Sequence, residues 1–433
     1  MSVSPTINRA ARIVARVSPR APADAVLRQE LAPRRDLAPA ERREVARAIA
    51  AYFRWLNWLD PKASPQRRVE EAVDWQARFD ANPAAVKPEA LAARAVPEWL
   101  AAEMDPIPAA WLRELQCEPA LWIRVRRRFA ESLPRALGDC VAAAALPRLA
   151  GPVSGSAGAM TAAVRYTGAR DLYRVDQFQQ GQFEIQDLAS QLVVHACNPQ
   201  PGEIWWDACA GEGGKTMHLA DLMQNKGLLW ASDRSIRRLN VLRQRAARAG
   251  VFNYRAIPWN GGPQPPTRTR FDGILVDAPC SGVGTWQRNP HARWTVSPAD
   301  VHELAAVQRQ LLEHVAGALK PGGRLIYAVC TLTRAETHGV ASEFTANHAE
   351  LEPVAPFPTA SIPQKEDAVQ PASTAPALSS AEDRLSAPIQ LWPQDLKANG
   401  MFIAAWKRRV STSSFLQAIG PATVRTNPAD ARS

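Results

Sequence analysis

Between Gln186 and about Pro353 the chain alternates β-like and helical segments, a pattern that few architectures accommodate. Apolar patterning predicts strands at Ile204 to Ala208, Gly227 to Ser232, Phe271 to Asp277 and Arg324 to Val329. Helices are expected between them at Lys215 to Met223, Ser235 to Ala249 and Pro298 to Leu319, and Met401 to Trp406 adds a strand. Parallel strands need crossover helices, and helices inserted this regularly cover both faces of the sheet. The expected fold class is therefore α/β, a Rossmann-like doubly wound sheet with binding loops at the carboxyl ends of its strands.

At 433 residues the chain has room for more than this unit, which we place at 185–409. Residues 1–115 read as helical, with Val45, Ile49, Phe53, Leu56 and Leu59 at helical spacing and Glu41, Arg42, Arg43 and Arg47 on the other face. Asp36-Leu-Ala-Pro39 reads as the start of that helix and Asp60-Pro61 as its end. Residues 116–184 read as a small α+β unit, with strands at Leu121 to Val125 and Ala163 to Tyr166 around a helix at Glu131 to Leu137. It carries Arg124, Arg126, Arg127 and Arg128 beside Trp122 and Phe129, which reads equally as solvated surface or as an RNA grip with aromatics for stacking. The Pro-, Ala- and Ser-rich stretch 355–387 is expected to be a flexible insertion, and 410–433 a disordered tail.

Lys plus Arg is 52 against 42 acids, a net charge of +10 that favours a polyanionic partner, nucleic acid before an anionic membrane. A hydrophobic share of 46% excludes a disordered basic protein. The six cysteines show no metal-ligand spacing, so no metal is expected. No run approaches the roughly 18 apolar residues of a membrane helix. Arg9 to Arg20 has the composition of a mitochondrial transit peptide, but the basic character continues past it, which favours a soluble cytoplasmic protein.

Asp207-Ala-Cys-Ala-Gly-Glu-Gly-Gly-Lys-Thr216 follows one predicted strand and opens a helix. Glycines there let a ligand approach the backbone, and N–H groups at the helix start carry partial positive charge. The next strand ends at Ser232-Asp233, twenty residues beyond Gly213, the spacing at which a carboxylate meets a ribose diol. A tight turn with a surface acid is the plain alternative. Cys209 stands where a Walker loop has glycine, and GxGxxG spacing is missing, so a nucleoside cofactor other than ATP or NAD is expected.

Two later strands run into Asp277-Ala-Pro-Cys-Ser-Gly-Val-Gly-Thr-Trp286 and, after Lys320-Pro-Gly-Gly323, into Tyr327-Ala-Val-Cys-Thr331. Neighbouring strands in doubly wound order would bring Cys280 and Cys330 to one crevice, each thiol being otherwise an inert core cysteine.

Together DACAGEGGKT, SDRS, DAPCSGVGTWQRNP, LKPGGRLIYAVCTL and the upstream FEIQDLASQL resemble the RsmB/NOP2/Sun family of RNA cytosine-5 methyltransferases, over about Glu118 to Arg408. AERREVARAIAAYFRW is similar to the NusB-like helical domain of the bacterial 16S ribosomal RNA members. The resemblance implies a class I methyltransferase that uses S-adenosyl-L-methionine, with RNA, either ribosomal RNA or a ribosomal precursor particle, as partner. It implies that Cys330 adds to C6 of cytosine, making C5 able to accept a methyl group, and that Cys280 assists product release. Cys209, Ala210, Gly211, Glu212, Gly213, Gly214 and Lys215 would cradle the methionine part of the cofactor, with Asp233 on the ribose and Asn260 at the adenine. Asp277, oriented by Lys215, would lie between cofactor and base and accept from the cytosine N4 amino group. Gln186 and Asp187 would frame the entrance, unless Asp187 caps a helix.

Three departures stand out. Gly211-Glu212 replaces Ala-Pro of the family loop, Asn260 stands at the adenine-contacting acid, and Val329 precedes Cys330 in place of threonine. A non-catalytic RNA-binding or ribosome-assembly factor on the same fold is the competing reading. Exocyclic-amine methylation is disfavoured, because the strand ends in Asp277-Ala-Pro-Cys280 and not in Asn/Asp-Pro-Pro-aromatic.

Overall fold

A computed structural model describes residues 4–18, 20–32, 37–104, 106–143, 163–357 and 387–410. Most of the insertion expected at 355–387 and of the tail expected at 410–433 lies outside the described residues, as does Asp36.

The N-terminal unit consists of α1 (Pro5–Val14), α2 (Ala23–Leu31), α3 (Pro39–Arg54), α4 (Pro65–Ala81), α5 (Pro88–Arg94), α6 (Leu100–Glu103) and α7 (Ala109–Glu114). In α3, Pro39 occupies the first turn and the Glu41 side chain accepts the Ala38 N–H at 2.9 Å, so a donor that the helix leaves unpaired is satisfied. Val45, Ala48, Ile49 and Tyr52 form its buried stripe. The helix ends at Arg54, before the expected Asp60-Pro61, because the chain tightens into a 3-10 turn at Leu56–Trp58 and drives Trp55 against Trp75 and Phe79.

The second unit comprises β1 (Leu121–Val125), α8 (Ser132–Leu137), β2 (Cys140–Ala142), β3 (Ala163–Tyr166), α9 (Asp176–Gln179) and β4 (Phe183–Ile185), with an antiparallel sheet in the order β2-β3-β1-β4. Alternation along β1 sends Ile123 and Val125 into the unit's own core and Trp122 and Arg124 to the opposite side. That geometry corrects the expectation that Arg124 and Arg126 grip RNA. Both are buried against the α/β unit, where they meet the Asp221 carboxylate at 3.1 and 3.3 Å. Trp122 is equally unavailable for stacking, being fully buried with its Nε1 donating to the Lys397 carbonyl at 2.7 Å. Of the cluster, Arg127 and Arg128 are exposed, and Arg128 covers the Phe129 ring. Arg124→Ala is therefore expected to cost about 3 kcal/mol of stability, read as a lower urea midpoint, with RNA affinity per folded molecule unchanged.

The third unit contains α10 (Leu188–Cys197), β5 (Ile204–Asp207), α11 (Gly214–Leu222), β6 (Leu228–Asp233), α12 (Ile236–Ala249), β7 (Tyr254–Pro258) and β8 (Phe271–Asp277). It continues through α13 (Pro298–Ala316), β9 (Leu319–Val329), α14 (His338–Asn347), β10 (Leu351–Pro353), β11 (Ile389–Leu391), α15 (Pro393–Leu396) and β12 (Met401–Arg408). The sheet order is β10-β12-β9-β8-β5-β6-β7, with β11 on β12; β9 through β7 run parallel and β12 is antiparallel to β9. Successive residues feed opposite cores: Leu325, Tyr327 and Val329 pack on the side of α13 and α14, Ile326 and Ala328 on the side of α10 to α12. The turn expected at Lys320–Gly323 is a bulge within β9, since Leu319 pairs with Phe271 and Arg324 with Gly273. Crossovers diverge on either side of β5 and β8, which puts the ligand crevice at the carboxyl ends of those strands.

Two junctions tie the units together. The segment after the loop that carries Cys280 plunges into the helical unit: the fully buried Arg293 donates to the carbonyls of Ala95 and Leu115, both at 3.0 Å, and Trp294 donates to that of Phe53. The Lys397–Gly400 stretch is the other junction. Its Lys397 ammonium pairs with Glu114 of α7, the Asn399 N–H donates to Asp187, and the Gly400 N–H donates to the Gly284 carbonyl at 2.7 Å.

Candidate active site

The loop between β5 and α11 is held from three sides. Thr216 donates to the buried Asp207 at 2.7 Å, the Ala210 N–H to the Ser232 carbonyl at 2.8 Å, and the Gly211 N–H to Asp233 at 3.1 Å. Burial pushes Asp207 up to about 7, against the Thr216 hydrogen bond. Gly213 has φ +84°, and a Cβ there would meet the Leu242 side chain at 2.5 Å, so the loop closes on α12 only with glycine at this position. At Gly211 and Gly214, by contrast, a Cβ would meet nothing within 4 Å, so the loop borders open space where a ligand can approach the backbone. Asp233 also accepts the Ser235 N–H, and Trp259 donates its N–H to the Asp233 carbonyl, which sets Asn260 just beyond the end of β7. Glu212 is exposed, and Asn260 is exposed with its side chain accepting the Gly262 N–H.

The chemistry-bearing groups lie at the ends of the adjacent strands β8 and β9. The Sγ atoms of Cys280 and Cys330 are 3.3 Å apart, both half-buried. Lys215, from the first turn of α11, donates to Asp277 at 2.7 Å. Burial pulls the Lys215 ammonium down, but the Asp277 charge and hydrogen bond outweigh it and the net shift is upward. A hydrogen bond joins the two thiols; with Cys280 as its donor, that bond, helped by Lys215 and opposed by burial, holds Cys330 below the ordinary thiol value and raises Cys280 well above it. The pair therefore offers one thiol that gives up its proton more readily than an ordinary cysteine, beside one that holds its proton more tightly. Cys209, by contrast, is raised well above the ordinary value by burial and by the nearby carboxylates, which keeps it a protonated thiol.

A group the sequence reading missed fixes the spacing of the two thiols. The fully buried Glu336 accepts the Ser281 N–H and the Gln308 amide at 2.8 and 2.9 Å on one oxygen, and the hydroxyls of Ser281, Thr331 and Thr333 on the other. Ser281 follows Cys280 and Thr331 follows Cys330, so a single carboxylate clamps both thiol loops. Tyr327 extends the clamp by donating to Gln308 and to the Glu336 carbonyl. The signal was present as Thr333-Arg-Ala-Glu336, a capping-box pattern that reads as a helix start.

Lys215, Asp277, Cys280 and Cys330 thus meet in one place, with the 209–214 loop, Asp233 and Asn260 along the neighbouring strand ends. Asp187 is 5% exposed, caps α10 through the Ala189 N–H and pairs with Arg288 at 2.9 Å, so its place is structural. Gln186 accepts from Arg124 and donates to the Gly214 carbonyl. Val329 is fully buried in the core on the α13 side of the sheet, against which Cys280 also packs. Among the described residues no group of three or more His, Cys, Asp or Glu side chains is arranged to hold a metal, and no helix is long and apolar enough to cross a membrane.

The family model for 16S rRNA methyltransferase RsmB/F matches residues 194–407. A probable ribosomal RNA small subunit methyltransferase B of Synechocystis sp. is 38% identical over 189 residues, which is 42% of this chain and 41% of that protein. The tRNA (cytosine(72)-C(5))-methyltransferase NSUN6 of Mus musculus is 40% identical over 166 residues, 35% of this chain and 34% of that protein. The chain thus spans well under half the length of these relatives. A solved structure described as PH0851 shares the fold, with a TM-score of 0.68 over 94% of this chain and 100% of that chain at 20% identity. The family match runs from α10 into β12 and takes in both thiol loops, so over residues 194–407 the chain matches the RsmB/F methyltransferase family, with a class I methyltransferase fold.

Proposed function

We propose that this chain methylates C5 of cytosine in RNA, with ribosomal RNA, free or in a precursor particle, as the substrate. The observation that carries the reading is the pair of thiols 3.3 Å apart at the ends of β8 and β9, beside the Lys215–Asp277 pair. The names of the relatives support it, one being a small-subunit ribosomal RNA methyltransferase and the other a tRNA cytosine-C5 methyltransferase.

Cys330, the thiol held below its ordinary value, adds to C6 of the base and converts C5 into an enamine-like carbon. Asp277, fixed by Lys215, accepts from the N4 amino group and orients the ring. Once C5 carries the methyl group, transfer of its proton to solvent lets the C6–S bond break with the electron pair on the Cys330 sulfur, and Cys280 beside that sulfur assists the release. Gly211 and Gly214 border open space, which would take the methionine part of S-adenosyl-L-methionine, with Asp233 on the ribose and Asn260 at the adenine. When bound, that cofactor supplies an electrophilic methyl group. The helical unit, as a NusB-like domain, and the α+β unit hold the RNA.

The test is incubation of purified protein with methyl-labelled S-adenosyl-L-methionine and small-subunit ribosomal RNA, followed by nucleoside analysis. Label in 5-methylcytidine is expected. Label on an exocyclic nitrogen, or none from folded protein that binds the cofactor, overturns the proposal.

A further inference from the structure

Two of the four arginines that the sequence offered as an RNA grip, Arg124 and Arg126, are spent internally at Asp221, which leaves Arg127 and Arg128 exposed there and any further basic surface to the rest of the molecule. A cleft of about 850 Å³ opens between the helical unit and the α+β unit. One wall is the start of α3, with Arg42 and Arg43; the other is the loop carrying Arg170, Tyr173 and Arg174, and Leu121 and Ile185 form part of its floor. Arg43, Arg170 and Arg174 are exposed, and among the described residues Arg43 and Arg170 have no ion-pair partner. Asp171 also lines the cleft, but its carboxylate accepts the Tyr173 N–H at 3.1 Å and lies 3.5 Å from Arg174, so it braces the loop.

Tyr173 is 60% exposed, a rare state for a residue of its size, and the loop holds it in one pose. Its ring meets Phe178 edge-on at 5.1 Å, and its carbonyl accepts the Gln179 amide at 2.7 Å. A fixed, open aromatic ring between guanidinium groups is the combination that engages bases and phosphates of a single strand. The same helix continues toward the crevice. Further along α3 a second cleft of about 360 Å³ is walled by Arg47 and Phe53 on one side and by Arg288 to His291 on the other. Arg288 reaches the Asp187 that caps α10, and its segment follows directly on the Cys280 loop.

We propose that the cleft between α3 and the Arg170–Arg174 loop binds a single-stranded segment of the RNA substrate, phosphates on Arg43 and Arg170 and a base on Tyr173, with the strand leading along α3 toward the thiols. The proposal rests on RNA being the substrate, and it adds a binding surface outside the crevice.

The experiment measures binding of a fluorescein-labelled single-stranded fragment of small-subunit ribosomal RNA across a salt series, using the full chain. Arg43→Gln/Arg170→Gln, two exposed positions outside the crevice, is expected to weaken binding about tenfold and to flatten the slope of log K against log salt by about 1.4, the value for two lost phosphate contacts. Tyr173→Ala is expected to weaken binding about tenfold with the slope unchanged, because it removes stacking without charge. Matching thermal midpoints establish that both variants fold. Wild-type affinity and slope in the double variant overturn the cleft and leave the proposed activity standing, and so does intact RNA binding combined with lost binding to small-subunit particles, which assigns the surface to a protein. The expected losses in the two variants, together with a wild-type protein that transfers no methyl group, support the cleft as an RNA-binding surface and overturn the activity.

Discussion

Cys330→Ala lowers methyl transfer to RNA by about three orders of magnitude or more, as expected for loss of a nucleophile whose partners act only through it. Cys280→Ala has a different signature. The methylated base still forms but stays bonded to Cys330, so a protein–RNA species resistant to denaturing gel conditions accumulates. The asymmetry follows from the single hydrogen bond between the thiols, in which Cys280 keeps the proton and Cys330 is the sulfur driven toward the thiolate. Adduct formation therefore rises with pH through a midpoint below the ordinary thiol value of 9.0. Removing Cys280 deletes the largest cause of that lowering, so in Cys280→Ala the midpoint moves up. An adduct that needs Cys280 and survives loss of Cys330 reverses the two assignments.

The second large effect is expected at Glu336. Glu336→Ala strands the Ser281 N–H and empties a buried site, while the hydroxyls of Ser281, Thr331 and Thr333 turn to one another. The expected cost is about 2–4 kcal/mol in urea unfolding. Turnover falls further, about a hundredfold, because the two thiol loops lose the group that sets their separation. Glu336→Gln is the informative contrast. Its amide oxygen keeps the two N–H donors and its NH2 group donates to hydroxyls that can rotate to accept, so stability stays within about 1 kcal/mol and turnover within a few-fold. If the alanine variant folds and turns over like the wild type, the clamp is not what spaces the thiols.

Strands β5, β6, β8 and β9 were legible in the sequence because each is a compact apolar run bounded by turn residues, and the meeting of Cys280 and Cys330 because each follows such a run on neighbouring strands. Strand β7 and helices α10 and α14 were not delineated. Tyr254–Pro258 is an edge strand of mixed exposure, and Leu188–Cys197 is apolar nearly all round, so neither shows clear alternation or a helical stripe. The failure at Arg124 has the same root. A run of arginines reads as surface until the partner strand and Asp221, 97 residues away, are in place. Glu336 was hidden for a related reason: its meaning comes from Ser281, 55 residues upstream, and no local pattern carries that.

The Lys397–Gly400 junction bears on the order in which a working molecule comes into being. These residues are synthesised after both thiols, after the helical unit and after the far side of the sheet, yet Gly400 closes on Gly284 so tightly that a Cβ at Gly284 would lie 2.2 Å from the Gly400 carbonyl oxygen. A nascent chain that has reached Thr331 holds every reacting group and none of the contacts from this stretch to α7, to Trp122, to Asp187 or to the Cys280 loop. The contacts that brace the Cys280 loop from this side therefore form only after residues 397–400 have been synthesised.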